Sequence, residues 1–332
     1  MNIAINGFGR IGRQAFKVAI AKKDIKVVAI NDLTDTKTLA HLLRYDTGYG
    51  HYDAPVDYDE KNLIVRGKKI PVFAEKDPTQ LPWGKLKVDV ALECTGRFTN
   101  KEGADMHLKA GAKKVIISAP AKGGGVPTYV RAVNCAKARK ETSPVINNAS
   151  CTTNCIAPVM AVLHEAFGIE KALMSTAHGY TADQNLQDGP HKDLRRARAA
   201  AENIVPTSTG AAIATGEVIP DLADSFDGLA LRVPILVSSL SDITALLKKN
   251  VTKEEVNQAF IDAAKTDRFA GVLTTTTEPL VSSDFRGSTY SATVDLSLTS
   301  VVGGNLVKVV AWYDNEVGYA HRLVELAELY NS

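Results

Sequence analysis

The sequence has few of the features that mark secreted, membrane or nucleic-acid-binding proteins. Only four cysteines occur among 332 residues, and this is too few for a disulfide framework in a chain of this length. Neither a signal peptide nor an apolar run long enough to span a bilayer is present. The formal net charge of +2 gives no argument for a membrane or specific nucleic-acid partner. We therefore expect a cytoplasmic protein whose thiols stay reduced.

The first half of the sequence alternates strand-like and helix-like segments. Strand-like residues 2–5, a glycine turn, an amphipathic run at 11–21 and a second apolar run at 25–30 have the lengths of a βαβ unit. Short apolar or β-branched runs follow at 88–93, 114–118 and 145–147. Such runs are typical of parallel strands covered on both faces. They predict a doubly wound (Rossmann) α/β domain.

After a boundary near Ser150 the pattern changes. The segments 288–297 and 306–313 alternate apolar and polar residues, which predicts a mostly antiparallel sheet in an α+β domain. Thr252 and Glu255 have the spacing of a capping box and predict a helix through Ala264. The last predicted helix is amphipathic and spans 316–330.

The segment 150–155, Ser-Cys-Thr-Thr-Asn-Cys, places a thiol directly before the apolar-periodic run 156–167. This run predicts a helix with Ser150 or Thr152 as its N-cap and Gly168 as its stop. Cys151 then lies at a helix N-terminus, where unpaired N–H groups and the macrodipole favour a thiolate and lower the thiol pKa. We predict a nucleophile at Cys151 with His178 as its partner.

These residues also allow structural interpretations. An isolated cysteine is more often a buried core residue than a nucleophile, and Cys155 fits that description. A metal site on Cys151 and Cys155 would lack a further Cys/His pair with ligand-like spacing. A histidine in a strand-like run, as His178 is, most often has a structural role.

Gly7, Gly9 and Gly12 form a G-x-G-x-x-G motif between a strand and a helix, with Asp32 twenty residues beyond the last glycine. This context predicts a dinucleotide site, against the alternative of a glycine turn without a ligand. The three glycines would allow the tight turn, the approach of the pyrophosphate and the packing of helix on strand. Asp32 would bind both ribose hydroxyls and repel a 2′-phosphate, which favours NAD over NADP.

Short blocks in a common order carry a resemblance to a known family. They lie at 6–13, 29–33, 93–96, 117–120, 150–155, 176–178, 231–234 and 312–316. Through these blocks the chain resembles the phosphorylating glyceraldehyde-3-phosphate dehydrogenases over essentially its whole length. The resemblance implies an NAD-binding domain at 1–150, onto which a C-terminal helix at 315–332 packs, and a catalytic domain at 151–314.

The resemblance also implies the residues that contact the cofactor. They are the backbone of Arg10 and Ile11 at the pyrophosphate, Thr95, Gly96 and Ser118 along the cofactor, and Asn315 at the nicotinamide amide. Lys76 stands where the family commonly has an arginine near the adenine, and a lysine cannot stack or fork in the same way. Leu33 and Pro190 stand where NADP-using members tend to carry small hydroxyl residues.

Two phosphate sites are implied as well. Thr181 and Arg232, with Asp183 nearby, match the site for the substrate's own phosphate, and Ser150, Thr152, Thr209 and Gly210 match the site for the attacking phosphate. Arg196 is expected to join one of them, with Arg195 as the alternative. Without the resemblance, the runs 191–198 and 207–210 would be interpreted as a solvated charged loop and a helix cap.

The implied reaction converts glyceraldehyde 3-phosphate, phosphate and NAD into 1,3-bisphosphoglycerate and NADH. Cys151 would form a thiohemiacetal and then a thioester that phosphate cleaves, while His178 would accept protons and stabilise the oxyanion. A homotetramer is also implied, with the loop 180–201 reaching a neighbour's cofactor. Two other functions stay open: an erythrose-4-phosphate dehydrogenase, which hydrolyses its thioester with water, and a non-catalytic nucleotide-binding protein on the same scaffold.

Overall fold

The computed structural model describes residues 1–332, which form two compact units. The first unit comprises Met1–Tyr129, Cys135–Ala149 and Ala320–Ser332, and the second comprises Val130–Asn134 and Ser150–Tyr319. None of the helices combines the length and apolar character that a bilayer crossing would need.

The first unit is built on one eight-stranded sheet. The strands of this unit are β1 (Asn2–Asn6), β2 (Lys26–Asn31), β3 (Tyr45–Asp46), β4 (Gly50–His51), β5 (Val56–Tyr58), β6 (Asn62–Val65), β7 (Lys68–Phe73), β8 (Val90–Glu93), β9 (Lys114–Ile117) and β10 (Val145–Asn147). The helices are α1 (Arg10–Ala21), α2 (Thr36–Arg44) and α3 (Lys101–Lys109). The sheet order is β10-β9-β8-β1-β2-β7-β6-β5, and β3 pairs separately with β4.

Six neighbouring strands of this sheet, from β10 to β7, pair in parallel. The strands β6 and β5 extend one edge as an antiparallel ribbon. Strands β8 and β10 are buried throughout, and β1 and β9 along most of their length, as the apolar runs of the sequence predict for a sheet covered on both faces. The doubly wound fold class is confirmed.

The second unit has a long helix and a second sheet. Its helices are α4 (Cys151–Phe167), α5 (Ala211–Val218) and α6 (Lys253–Ala264), and its strands are β11 (Ile169–Gly179), β12 (Val205–Ser208), β13 (Phe226–Val233), β14 (Ser239–Leu247), β15 (Leu273–Thr276), β16 (Ala292–Asp295), β17 (Ser300–Val302) and β18 (Leu306–Tyr313). The sheet order is β12-β13-β11-β14-β18-β16-β15, with β17 paired to β18. Only the pairs β11–β13 and β15–β16 are parallel, which confirms a mostly antiparallel sheet.

Local capping signals in the second unit place the helix starts. Ser150 is the N-cap of α4, since its hydroxyl accepts a hydrogen bond from the N–H of Thr153 at 3.0 Å. Gly168 ends α4 with φ +69°, a conformation that favours glycine. The N–H of Glu255 donates to Oγ1 of Thr252 at 3.2 Å, and the Glu255 carboxylate accepts from the N–H of Thr252 at 2.7 Å. This is the predicted capping box of α6.

One predicted strand is shorter than its pattern. The alternation at 288–297 predicts a long strand, but only β16 forms there. The N–H of Ser288 donates to the carbonyl of Phe285 at 3.1 Å, and the N–H of Gly287 donates to the Asp314 carboxylate at 2.8 Å. A turn bond and a side-chain bond therefore take the place of ladder pairing at 287–288.

The last helix, α7 (Val317–Asn331), contributes its residues from Ala320 onward to the first unit. Lys22 forms a 2.7 Å ion pair with Glu328. The ammonium group of Lys114 donates to the carbonyl of Tyr330 and lies 4.3 Å from the centre of its ring. The C-terminal segment is thus bonded to β9 and to the end of α1.

Short 3₁₀ turns lie at Pro78–Gln80, Cys135–Lys140, Pro220–Leu222 and Ser282–Phe285.

Candidate active site

A cleft of about 280 Å³ opens in the first unit at the carboxyl ends of β1, β2 and β8. It is lined by Asn6, Gly7, Gly9, Asn31, Asp32, Leu33, Glu75, Lys76, Cys94, Thr95, Arg97 and Phe98. Ligands of doubly wound sheets bind outside the carboxyl ends of the strands. Five of the predicted cofactor residues, Gly7, Gly9, Asp32, Lys76 and Thr95, therefore lie together where a cofactor would bind.

The three glycines of the motif differ in their surroundings. Gly7 has φ +91°, and a Cβ there would lie 2.8 Å from the N atom of Thr95. A Cβ on Gly12 would lie 2.0 Å from the carbonyl oxygen of Gly7. A Cβ on Gly9 would meet no atom within 4 Å. Gly7 and Gly12 are thus required by the fold itself, whereas Gly9 leaves space for something outside the chain.

The donors and acceptors beside this space fit a dinucleotide. No side chain caps α1 at Gly9, so a phosphate can serve as the anionic partner of the first turn at Arg10 and Ile11. The carboxylate of Asp32 accepts from the N–H of Phe8 at 2.7 Å and of Thr34 at 3.0 Å. These two bonds orient Asp32 and leave further acceptor capacity for ribose hydroxyls.

Two further predicted cofactor residues of the first unit, Gly96 and Ser118, are not among the residues that line the cleft. Gly96, with φ +70°, follows Thr95, which lines the cleft. Ser118 follows β9, and its N–H donates to the carbonyl of Glu93 at 3.0 Å. Lys76 lines the cleft with an exposed side chain.

In the second unit, α4 and β11 bring Cys151 and His178 together. Sγ of Cys151 lies 3.4 Å from Nε2 of His178. Cys151 is the first residue of α4 and is half-buried, while His178 is near the end of β11 and is 3% exposed. The two residues predicted as nucleophile and base are therefore in direct contact.

The tautomer of His178 follows from the contacts of its other ring nitrogen. Nδ1 lies 2.6 Å from the carbonyl oxygen of Gly179, and this contact, shorter than the one with Arg232, favours a proton on Nδ1 because two lone pairs at that distance would repel. Arg232 Nη1 lies 3.0 Å from Nδ1 but has acceptors at Thr181 Oγ1 (3.1 Å) and the Gly179 carbonyl (3.3 Å). Nε2 therefore presents its lone pair to Cys151, as a base must.

Burial controls the charge of this pair. Burial raises the pKa of the Cys151 thiol, although the positive charge of Arg232 and the bonds of Thr152 oppose it. Burial, with Arg232, lowers the pKa of His178 to about 3. The predicted lowering of the thiol pKa is thus wrong for this structure, because removal from water outweighs the helix N-terminus. Burial thus disfavours an isolated charge on either residue, and the 3.4 Å contact between Sγ and Nε2 would let a proton pass directly between them.

Cys155 has the structural role predicted for it. Its side chain is fully buried in the apolar core beside Ile156 and Val159, and burial raises the pKa of its thiol. No group of three His, Cys, Asp or Glu side chains has the geometry to hold a metal ion.

Tyr313, to which the sequence assigned no role, joins α4 to β11. Its hydroxyl lies 2.9 Å from Oγ1 of Thr152 and 2.9 Å from Oγ1 of Thr176. Its ring lies edge-on to His178 with 6.1 Å between the ring centres. This buried hydroxyl holds the start of the helix beside the strand that carries His178, and no local pattern in the sequence indicates it.

A polar cluster lies beside His178 and contains two arginines. Arg232 pairs in register with His178 across β13 and β11 and donates to Thr181, whose hydroxyl donates to Asp183. Arg196 Nη1 forms a 2.5 Å ion pair with Asp183. Nε of Arg232 is buried without a hydrogen-bond partner, so the cluster has an unused donor for an anion.

Arg196 and Arg195, the two competing assignments, have different surroundings. Arg196 Nε donates to Oγ1 of Thr207 at 2.9 Å, and that hydroxyl donates to Asp193 at 2.7 Å. The side chain of Arg195 is exposed. The cluster therefore includes Arg196 and not Arg195. Thr207 and Asp193 hold the Arg196 side chain through hydrogen bonds that the sequence did not predict.

The four residues predicted for a second phosphate lie at two helix starts. The hydroxyl of Ser150 lies 2.7 Å from Oγ1 of Thr153, and Thr152 is bonded to Tyr313 as above. Gly210 is the N-cap of α5 and provides no side-chain cap, while Oγ1 of Thr209 accepts from the N–H of Ala211 at 3.2 Å. The start of α5 thus leaves backbone donors for an anion.

Asn315 lies in the second unit with its amide orientation set. Its Oδ1 accepts from the N–H of Ser238 at 2.9 Å and from the hydroxyl of Ser239 at 3.3 Å. Ser239 Oγ also accepts from the N–H of Gly179 at 3.3 Å. The Nδ2 group of Asn315 therefore remains as a donor for a carbonyl oxygen.

Comparison with known proteins identifies the family. Residues 150–315 match the model described as glyceraldehyde 3-phosphate dehydrogenase, C-terminal domain, and residues 1–101 match its NAD binding domain. The chain belongs to the glyceraldehyde-3-phosphate dehydrogenase family. The glyceraldehyde-3-phosphate dehydrogenase of Geobacillus stearothermophilus is 55% identical over 98% of this chain and 97% of that protein. That of Clostridium acetobutylicum is 52% identical over 97% and 96%.

Membership of the glyceraldehyde-3-phosphate dehydrogenase family confirms the resemblance drawn from the short sequence blocks. The matched NAD binding domain contains the glycine motif, Asp32 and Thr95. NAD is therefore the cofactor, as Asp32 and the open space at Gly9 independently favour.

The surroundings of Gly9 and Gly12 predict opposite behaviour for two alanine variants. Gly12→Ala should lower the thermal unfolding midpoint without NAD, because the methyl group would clash with Gly7. Gly9→Ala should keep that midpoint and raise the Kd for NAD by about tenfold or more, because the methyl group fills the space for the pyrophosphate. Scanning fluorimetry and calorimetric titration measure both. Normal NAD binding by Gly9→Ala would contradict the assignment.

The contact between Cys151 and His178 predicts the reactivity of the thiol. His178→Asn should slow alkylation of Cys151 by iodoacetamide at pH 7 by about tenfold or more, because the thiolate then forms without a base. Peptide mass spectrometry follows the labelled residue. The matched control is His164→Asn. His164 lies in the last turn of α4, the helix that begins at Cys151, and this variant should react like the unmodified protein. Equal rates for both variants would exclude proton transfer to His178.

Proposed function

We propose that this protein oxidises glyceraldehyde 3-phosphate with NAD and inorganic phosphate to give 1,3-bisphosphoglycerate and NADH. The observation that carries the proposal is the 3.4 Å contact between Cys151 and the unprotonated ring nitrogen of His178, beside a cluster with two arginines. The names of the relatives at 52–55% identity support the same substrate.

The first chemical step uses Cys151 and His178. Nε2 takes the thiol proton, and the sulfur bonds to the aldehyde carbon, so that the carbonyl electron pair moves to oxygen. The protonated imidazole then donates to this oxygen and stabilises the thiohemiacetal.

Bound NAD would supply an acceptor for the hydride that leaves the thiohemiacetal carbon, while Nε2 of His178 would take back the hydroxyl proton as the thioester forms. We assign its binding to Gly7, Gly9, Gly12, the backbone of Arg10 and Ile11, Asp32, Lys76, Thr95, Gly96, Ser118 and Asn315. In this assignment the first unit is the NAD-binding domain and the second is the catalytic domain. Asn315 is suited to bind the carboxamide of the nicotinamide ring. Its Oδ1 is already used as an acceptor, so its Nδ2 group remains to donate to the carboxamide oxygen.

The two phosphates need separate anion sites. We assign the phosphate of the substrate to Thr181 and Arg232, with Asp183 and Arg196 orienting them, because the Nε group of Arg232 lacks a partner. We assign the attacking phosphate to Ser150, Thr152, Thr209 and Gly210, at the starts of α4 and α5. Attack of this phosphate on the thioester would release the acyl phosphate, and the leaving sulfur would take the proton from Nε2 of His178 to restore the thiol.

We also propose a homotetramer in the cytoplasm, with the loop 180–201 in contact with a neighbour's cofactor. Large apolar side chains exposed on the second unit support subunit contacts: Leu173, Leu186, Leu194, Ile204 and Ile213, which are 65–83% exposed.

A substrate panel tests the reaction. Turnover with glyceraldehyde 3-phosphate and NAD should require phosphate, and without phosphate about one NADH per active site should form in a burst. Cys151→Ser should abolish both signals. Steady turnover without phosphate, greatest with erythrose 4-phosphate, would indicate the hydrolytic alternative, and absence of a burst would indicate a non-catalytic nucleotide-binding protein.

Adjacent arginines provide a matched pair of variants for the phosphate cluster. Arg196→Ala should raise the KM for glyceraldehyde 3-phosphate or for phosphate by about tenfold, since a guanidinium–phosphate contact contributes of the order of 1–3 kcal/mol. Arg195→Ala should change neither KM appreciably. Steady-state kinetics with each substrate varied in turn measures both constants. A larger effect from Arg195 would reverse the assignment.

A further inference from the structure

A buried polar network joins the ends of three parallel strands beneath the NAD cleft. Asn6, Asn31 and Glu93 are the last residues of β1, β2 and β8, and Asn6 pairs in register with Asn31 on one side and with Glu93 on the other. Nδ2 of Asn31 donates to Oδ1 of Asn6 at 2.7 Å, and Nδ2 of Asn6 donates to Oε2 of Glu93 at 2.5 Å. All three side chains are buried. The reaction proposed above gives Glu93 no role, although burying a carboxyl group is costly.

Four donors surround the Glu93 carboxyl group. Besides Asn6, Nε2 of His107 contacts Oε2 at 3.0 Å, and the N–H of Thr95 donates to Oε1 at 2.8 Å. The hydroxyl of Thr95 donates to the same oxygen. Each carboxyl oxygen therefore accepts two hydrogen bonds, which uses its full capacity.

The tautomer of His107 is fixed by Trp83. The indole N–H of Trp83 donates to Nδ1 of His107 at 3.0 Å, and an indole nitrogen can only donate. Nδ1 must accept, so Nε2 carries the ring proton and donates to Glu93. Both side chains are fully buried. Trp83 does not line the cleft but determines which way the histidine presents its donor.

The network reaches two walls of the cleft. Oδ1 of Asn31 accepts from the N–H of Glu75 at 2.9 Å, and Nδ2 of Asn31 donates to the Glu75 carbonyl at 2.9 Å. Glu75 precedes Lys76. At the other wall, Thr95 lies so close to the glycine turn that a Cβ on Gly7 would be 2.8 Å from its N atom. The position of Thr95 therefore limits where the glycine turn can lie.

We propose that Glu93 is a positioning residue for NAD: its carboxyl group holds Thr95 against the Gly7 turn and, through Asn6 and Asn31, holds the segment 75–76 at the other wall. The inference rests on the assignment of this cleft to NAD. Glutamate is needed at this position because all four neighbouring groups, which belong to Asn6, His107 and Thr95, donate. A glutamine of the same shape would turn its NH₂ group towards Asn6 and His107 or towards Thr95, and a donor would then face donors.

Glu93→Gln tests the inference, with Glu102→Gln, on the exposed first turn of α3, as the matched control. In the cofactor-free protein, amide hydrogen exchange at 94–97 and 75–76 should accelerate in Glu93→Gln only. Its Kd for NAD should rise about tenfold or more by calorimetric titration. The alkylation rate of Cys151, which lies in the other unit, should stay unchanged.

A second variant keeps the test decisive if Glu93→Gln does not fold. Trp83→Phe keeps Glu93 and His107 but removes the group that fixes the tautomer, so exchange at 94–97 should rise and the Kd for NAD should increase several-fold. Normal NAD binding by the folded variants, or weaker binding without faster exchange at 94–97, would overturn the inference. Failure of the unmodified protein to bind NAD would instead overturn the proposed function.

Discussion

The proposed chemistry depends on one helix start being held against one strand. Cys151 contacts His178 only because the first turn of α4 lies beside the end of β11, and the hydroxyl of Tyr313 bonds to a threonine on each. Since burial disfavours a charge on either the thiol or the imidazole, the proposed reaction would depend on direct proton transfer between them. A small separation of α4 from β11 would break that path.

The candidate binding sites of the two units are built from different kinds of contact. In the first unit, parallel strands end together and form a cleft whose walls are fixed by buried polar bonds, while Gly9 leaves its centre open. In the second unit, charged groups face one another: Asp183 lies between Arg196 and the Arg232–Thr181 pair. Rigid walls suit a large cofactor of constant shape. The charged cluster of the second unit, in which Nε of Arg232 has no hydrogen-bond partner, suits reversible binding of small anions.

Local chemistry could be predicted from the sequence, and long-range chemistry could not. The caps at Ser150, Gly168 and Thr252 appear in the structure because each depends on residues a few positions away. Tyr313 escaped prediction because its partner Thr152 is 161 residues distant. The predicted direction of the Cys151 pKa shift was wrong for the same reason. One segment of sequence is enough to form a helix N-terminus, whereas burial of the thiol depends on the packing of the whole unit.

The place of α7 has a consequence for the synthesis of this protein. The first unit begins with β1 at the N-terminus yet includes residues from Ala320 to the end of the chain, and Tyr330 is bonded to Lys114 and to the carbonyl of Ser143. A ribosome making this chain releases nearly all of the second unit before those partners of β9 exist. The amino-terminal half therefore stays incompletely packed until residues 320–332 have been synthesised.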